Sequence, residues 1–188
     1  LPVLAVGTVL ALVASGLAAA ALYRLGGAPA AIAWLLAPTA VFTLVPYTEA
    51  VFCAAAFWAW ERATARQWGA AAVLAAVAAS VRVSGVFLIA AMVVLALTQA
   101  GASRERGRRL AWLGLPVAVV AAYLGYLYAI TGSWTAWLDA QTSGWARGFA
   151  WPWQSLQHTL NVLAPGAYAD HPEWRWVFAA EIVSMAVG

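Results

Sequence analysis

The chain has 188 residues, of which 65 % are hydrophobic and 9 % charged, and its ten cationic side chains are all arginine. A soluble globular domain is excluded, because it needs far more polar surface to cover that much apolar side chain. The net charge of +3 is small and divided among several loops, which argues against a nucleic-acid partner.

Unbroken Ala/Leu/Val runs, in place of alternating strands of roughly ten residues, also exclude a transmembrane barrel. The predicted fold class is all-α, a polytopic transmembrane helix bundle with about seven apolar spans, several of them short hairpin helices. The chain opens on "LPVLAVGTVLALV" without the basic n-region of a signal peptide. Both ends read as cut, so residues 1–188 are expected to form one transmembrane domain that is a fragment of a longer membrane protein. The single cysteine, Cys53, gives no disulfide framework, and two histidines far from it argue against a metal site. No motif implies a cofactor.

In chain order, apolar runs fall at 2–23, 29–45, 48–60, 68–80, 84–100, 110–130 and 176–188. A square crossing takes roughly 20 residues, so the second to fifth runs are short. Fusing 29–60 and 68–100 into two long helices is the alternative, and Pro46 and Gly85 at the polar interruptions favour hairpins instead. With a break at every interruption, Arg24, Arg62, Arg66, Arg104, Arg106, Arg108 and Arg109 fall on one side, and Arg82, Arg147 and Arg175 on the other. The arginine excess orients the first side as cytoplasmic. The stretch "GASRERGRR" (101–109) then reads as a cytoplasmic loop that sets topology and touches anionic lipids. The other face receives "VPYTEA" (45–50), "SVRVSG" (80–85) and a long extracytoplasmic loop, 131–175. A loop of that length is functional or carries its own structure.

Three stretches hold the candidate binding residues. "PYTEAVF" places Tyr47, Thr48 and Glu49 at an outer helix start. Thr48 can cap that helix and Glu49 complement its dipole; alternatively, Glu49 faces a polar cavity and holds a sugar hydroxyl or an arginine. In "ASVRVSG", Arg82 has no acidic neighbour along the chain. It either snorkels to outer headgroups or forms a fixed cation for a lipid-linked phosphate, with Ser84, Gly85 and the amides of a helix start beside it. "QTSGWARGFAWPW" (141–153) combines Gln141, Trp145, Arg147, Trp151 and Trp153. Tryptophan collects at membrane interfaces; it also stacks on sugar rings, while Gln and Arg bond hydroxyls and phosphates. Asp139 and Asp170 are weaker candidates, His158 and His171 read as plain loop residues, and Glu181 is undecided between interface and cavity.

The order Tyr47-Thr48-Glu49, then Arg82-Val83-Ser84-Gly85, then a Trp/Gln/Arg/Pro-rich outer loop resembles the PIG-V-type mannosyltransferases (GPI mannosyltransferase II), bacterial relatives included, within the GT-C class. That family's first motif is Tyr-Ser/Thr-Glu and its second Arg-Ser-Asn-Gly, so the second match is altered here and lacks Asn. The resemblance spans roughly 40–160. It implies a multi-pass plasma-membrane enzyme that transfers mannose, with inversion, from a polyprenyl-phosphate donor to a lipid or glycan acceptor at the extracytoplasmic face. Tyr47, Glu49, Arg82, Ser84, Gln141, Trp145 and Arg147 are then substrate-binding. The catalytic base of such enzymes is an Asp in a first outer loop, a region preceding this chain, so no residue here is assigned that role and the fragment alone is expected to be inactive. The competing classes are a transporter, whose charges would sit near the midplane, and a non-catalytic membrane subunit, which would not need the Trp/Arg loop.

Overall fold

The computed structural model describes residues 3–145, 151–164, 166, 170, 171 and 173–187. In order it comprises α1 (Val3–Leu35), a 3-10 segment (Pro38–Thr43), α2 (Glu49–Thr64), α3 (Trp68–Val81), α4 (Gly85–Thr98), α5 (Ser103–Thr131), α6 (Ala136–Trp145), α7 (Pro152–Val162) and α8 (Trp174–Val187). The described residues are all-helical, with 83 % in helix and no strand, so most of their backbone polar groups find partners within their own element. The chain divides into two compact units, 1–36 with 40–134, and 37–39 with 135–188.

In the first unit, the break expected after Arg24 falls at Gly27, whose φ of 73° and ψ of −169° interrupt α1. Glycine takes that conformation at little steric cost. Pro29 then lacks the N–H that would rejoin the helix. Past the break the chain returns along α1. Ser15 Oγ donates to the Thr43 carbonyl at 2.6 Å, Trp34 meets Phe57 edge-on at 6.0 Å, and Gly7 lies against Pro46. The run at 29–45 is therefore not one helix, as the hydropathy suggests, but a helical turn-back ending at Leu35 followed by 3-10 structure.

These contacts make α2 parallel to α1: Trp58 Nε1 donates to the Leu17 carbonyl at 2.9 Å, and Arg24 reaches Glu61. Short links then reverse the chain between α2, α3, α4 and α5. The link after α2 is a Schellman turn, with Gln67 N–H donating to the Arg62 carbonyl at 2.8 Å and Arg66 N–H to the Ala63 carbonyl at 3.0 Å. Arg66 holds the left-handed position at φ 62°. One end of the unit thus gathers Arg24, Glu61, Arg62, Trp68, Gln99 and Arg109; the other gathers Thr48, Glu49 and Arg82.

The interior inverts the usual pattern of a soluble core. Apart from Trp68, Ile89, Met92, Leu113 and Pro116, the buried apolar side chains among the described residues are alanines, while leucines, valines and aromatics of α1 and α5 face outward. Alanine lets helix backbones approach closely, the mode of packing used where lipid covers the exterior. Among the described residues two helices, α1 and α5, are long and apolar enough to cross a membrane, and only 22 % and 11 % of their apolar windows are buried by protein.

The stretch "GASRERGRR" is not a loop. α5 begins at Ser103 and carries Arg104, Arg106, Arg108 and Arg109 on its first turns. One of them, Arg109, is buried. Its Nη1 and Nη2 donate at 2.7 and 2.9 Å to the carbonyls of Gln99, the cap residue of α4, and of Ala100 in the link that follows.

The second unit contains most of the stretch 131–175, which carries its own helices: α6, α7 and the start of α8. Pro152 opens α7, and Gln154 Oε1 accepts from the Trp151 N–H at 2.8 Å. The rings of Trp151 and Trp153 stack with centroids 5.0 Å apart. His158 lies on α7 rather than in a loop.

Candidate functional site

At its N-terminus α2 presents the positive end of a helix dipole, and at its C-terminus the antiparallel α3 presents a negative one. Glu49 occupies the first turn of α2, and Arg82 is the residue that ends α3, its own N–H donating to the Ala78 carbonyl at 3.1 Å. Each charge complements its helix, and the two meet. Arg82 Nη1 donates to Glu49 Oε1 at 2.5 Å and to Thr48 Oγ1 at 3.0 Å. Both side chains are about one-third exposed, so the pair is neither solvated nor enclosed.

Of the alternatives for Glu49, the one in which it holds an arginine is met: Arg82, with no acidic neighbour along the chain, takes its carboxylate partner from 33 residues away. Two other expectations are corrected. Thr48 does not cap α2; it occupies the cap position in helical conformation with no side-chain cap bond, and its hydroxyl accepts from Arg82. The amides at the start of α4 are not open to an anion either. Gly85, Val86 and Phe87 N–H groups donate to the carbonyls of Arg82, Val83 and Ser84 at 3.0–3.1 Å. Ser84 itself makes no side-chain cap. Gly85 admits not a ligand but α3: a Cβ on it would collide with the Ala79 backbone.

The remaining capacity of the site lies on Arg82 and Glu49. Among the described residues only Nη1 of Arg82 has a protein partner, which leaves the Nε and Nη2 donors for a further acceptor. Glu49 Oε2 is buried and accepts no hydrogen bond among the described residues. Tyr47 lies exposed beside the pair in sequence. Gln141 is half-buried on α6, and Trp145 is the last residue of that helix; both belong to the second unit. Arg147 lies outside the described residues. Asp139, in the first turn of α6, accepts at 3.0 Å from Oγ1 of Thr135, the residue before that helix, and His171 stacks on Trp174 at 4.9 Å with Glu173 Oε1 3.1 Å from its Nδ1. No group of three or more His, Cys, Asp or Glu side chains among the described residues is placed to hold a metal.

A second charged cluster escaped the sequence reading. Glu61 is buried near the C-terminus of α2, with Arg24 Nε 2.7 Å from its Oε1 and Arg62 Nε 2.8 Å from its Oε2. The Arg62 approach is an ion-pair contact whose N–H does not align, so Oε2 takes no hydrogen bond. Both guanidiniums lie over the Trp58 ring, at 5.8 and 5.1 Å. The criterion that singles out Glu49, a carboxylate at the border of an apolar run, holds equally for Glu61 and would have found it.

Comparison with protein-family models, curated proteins and solved structures finds no match to the chain.

Proposed function

We propose that the chain belongs to a multi-pass membrane glycosyltransferase of the GPI mannosyltransferase II type, taking mannose from a polyprenyl-phosphate donor at the bundle end that carries Glu49 and Arg82. One observation carries this reading. The two short motifs on which the resemblance rests, Tyr47-Thr48-Glu49 and Arg82-Val83-Ser84-Gly85, converge on a single ion pair. Glu49 and Thr48 hold the guanidinium by one nitrogen, and its free edge suits the donor phosphate. In the transfer, the acceptor hydroxyl oxygen bonds to the anomeric carbon, giving its proton to a carboxylate base that no residue here is assigned to supply, as the bond from that carbon to the phosphate oxygen breaks. The leaving phosphate takes the electron pair, and Arg82 offsets its charge. A transporter fits less well, because the ion pairs among the described residues of the first unit lie near helix ends.

Donor binding tests the reading without knowledge of the acceptor. The protein in neutral liposomes is expected to bind polyprenyl-phosphate mannose, and Arg82→Lys to weaken that binding about tenfold, because the ammonium keeps the charge but not the planar fork. Glu49→Gln should weaken it less. Equal donor affinity for wild type and Arg82→Ala would remove the phosphate role.

The same reading places the arginine-rich end in the cytoplasm and about seven spans in a bacterial plasma membrane. With Cys53 replaced by Ala, a cysteine at the exposed Val83 should react with an impermeant thiol reagent in intact cells, and one at Arg106 only after lysis. The reverse pattern would invert the topology.

A further inference from the structure

We infer that the arginine-rich end of the first unit carries a binding cleft for the phosphate of an anionic lipid, with Arg24 as its ligand and Glu61 as the residue that positions Arg24. This goes beyond the transferase reading and does not depend on it; it rests only on the unit lying in a membrane. The cleft has a volume of about 580 Å³ and is lined by Arg24, Leu25, Trp60, Glu61, Thr64 and Ala65.

Its charge selects an anion. Glu61 sits in the last turns of α2, where the helix dipole disfavours a carboxylate, and its residue is only 6 % exposed. Two arginines surround it, so the cluster carries a net positive charge and offers a cation nothing. Arg24 spends Nε on Glu61 and lies over Trp58, which together hold the guanidinium in place. Among the described residues its two Nη groups have no protein partner, and its side chain is 54 % exposed. That is the fork that grips a phosphate by two parallel hydrogen bonds. Thr64 contributes no donor, since its hydroxyl donates to the Glu61 carbonyl at 2.8 Å.

The walls select a lipid over a free phosphate. Leu25, Trp60 and Ala65 line the cleft beside the charges, and exposed Val13 and Leu17 continue apolar surface along α1. A headgroup seated on Arg24 could thus lay its acyl chains on α1. Arg66, Arg106 and Arg108, at the same end, favour an anionic leaflet without lining the cleft.

The test is native mass spectrometry of the protein in neutral detergent, with phosphatidylglycerol, phosphatidylcholine and inorganic phosphate as probes. Phosphatidylglycerol should be retained about tenfold better than phosphatidylcholine, and Arg24→Lys should abolish most of that preference. Ala65→Trp, which fills the cleft while leaving the Glu61 ion pairs alone, should do the same. Arg66→Gln removes a charge at the same end and should leave retention unchanged. Loss of retention in Arg66→Gln equal to that in Arg24→Lys would reduce the site to diffuse attraction. Full displacement of the lipid by millimolar inorganic phosphate would overturn a lipid as occupant, and equal retention of the two lipids would overturn the site.

Discussion

Arg109→Ala is expected to destabilise the protein by about 2–4 kcal/mol, whereas Arg106→Ala and Arg108→Ala should leave stability within about 0.5 kcal/mol. All three arginines belong to one short basic stretch, but only Arg109 is buried, at 4 % exposure. It donates to the carbonyl of Gln99, the residue that caps the end of α4, and to that of Ala100 in the link after it. A hydrogen bond from a charged donor contributes about 1.5–3 kcal/mol, and removing the guanidinium returns part of that by lifting its desolvation. Glu105 Oε2, at 3.4 Å, is a weaker contact on the exposed side. Arg109→Lys should fall between, since one ammonium cannot span both carbonyls as the fork does. Thermal unfolding of the variants in one detergent checks this. Equal midpoints for Arg109→Ala and Arg106→Ala would leave the capping role without support.

Gly85→Leu should destabilise by about 3 kcal/mol or more, and Gly85→Ala by about 1–3 kcal/mol. Gly85 begins α4 with no side chain between it and α3. An added Cβ would overlap the Cα of Ala79, and it would lie 2.8 Å from the Ala79 nitrogen and 2.9 Å from its Cβ. Backbone cannot yield as a flexible side chain does, so the two helices must separate. Gly107, in the open on α5, provides the opposite sign: an added Cβ there meets nothing within 4 Å. Gly107→Ala should stabilise the helix by about 0.5–1 kcal/mol, because alanine loses less backbone freedom. A destabilising Gly107→Ala together with a neutral Gly85→Ala would mean that the α3–α4 contact is looser than described.

Much of the first unit was legible in the chain. Apolar runs at 48–60, 68–80 and 84–100 anticipated α2, α3 and α4, because alanine-rich helices ended by charged or glycine-containing links are read from local composition. Charge alone does not show the start of α5, because four arginines in a short stretch suggest a loop. Glu105 and Arg109 in fact stand four apart, and Arg109, Leu113 and Pro116 recur on one buried helix face. Hydropathy does not resolve the second run, because it does not distinguish a continuous helix from one broken at Gly27 and continued as 3-10 structure.

By itself the sequence determined the all-helical class, the existence and approximate place of the short central helices, and the grouping of arginines at one end. These are set by run length, by proline and glycine, and by charge placement, all of them local quantities. Only the tertiary structure decided which charges are partnered. Glu49 meets Arg82 because α2 and α3 pack antiparallel, and Arg24 meets Glu61 because the chain doubles back at Gly27 and leaves α1 parallel to α2. Spacing along the chain cannot reveal such pairs: a helix carries a side chain about 1.5 Å per residue along its axis, and only the packing of alanine faces brings residues more than 30 positions apart within one hydrogen bond.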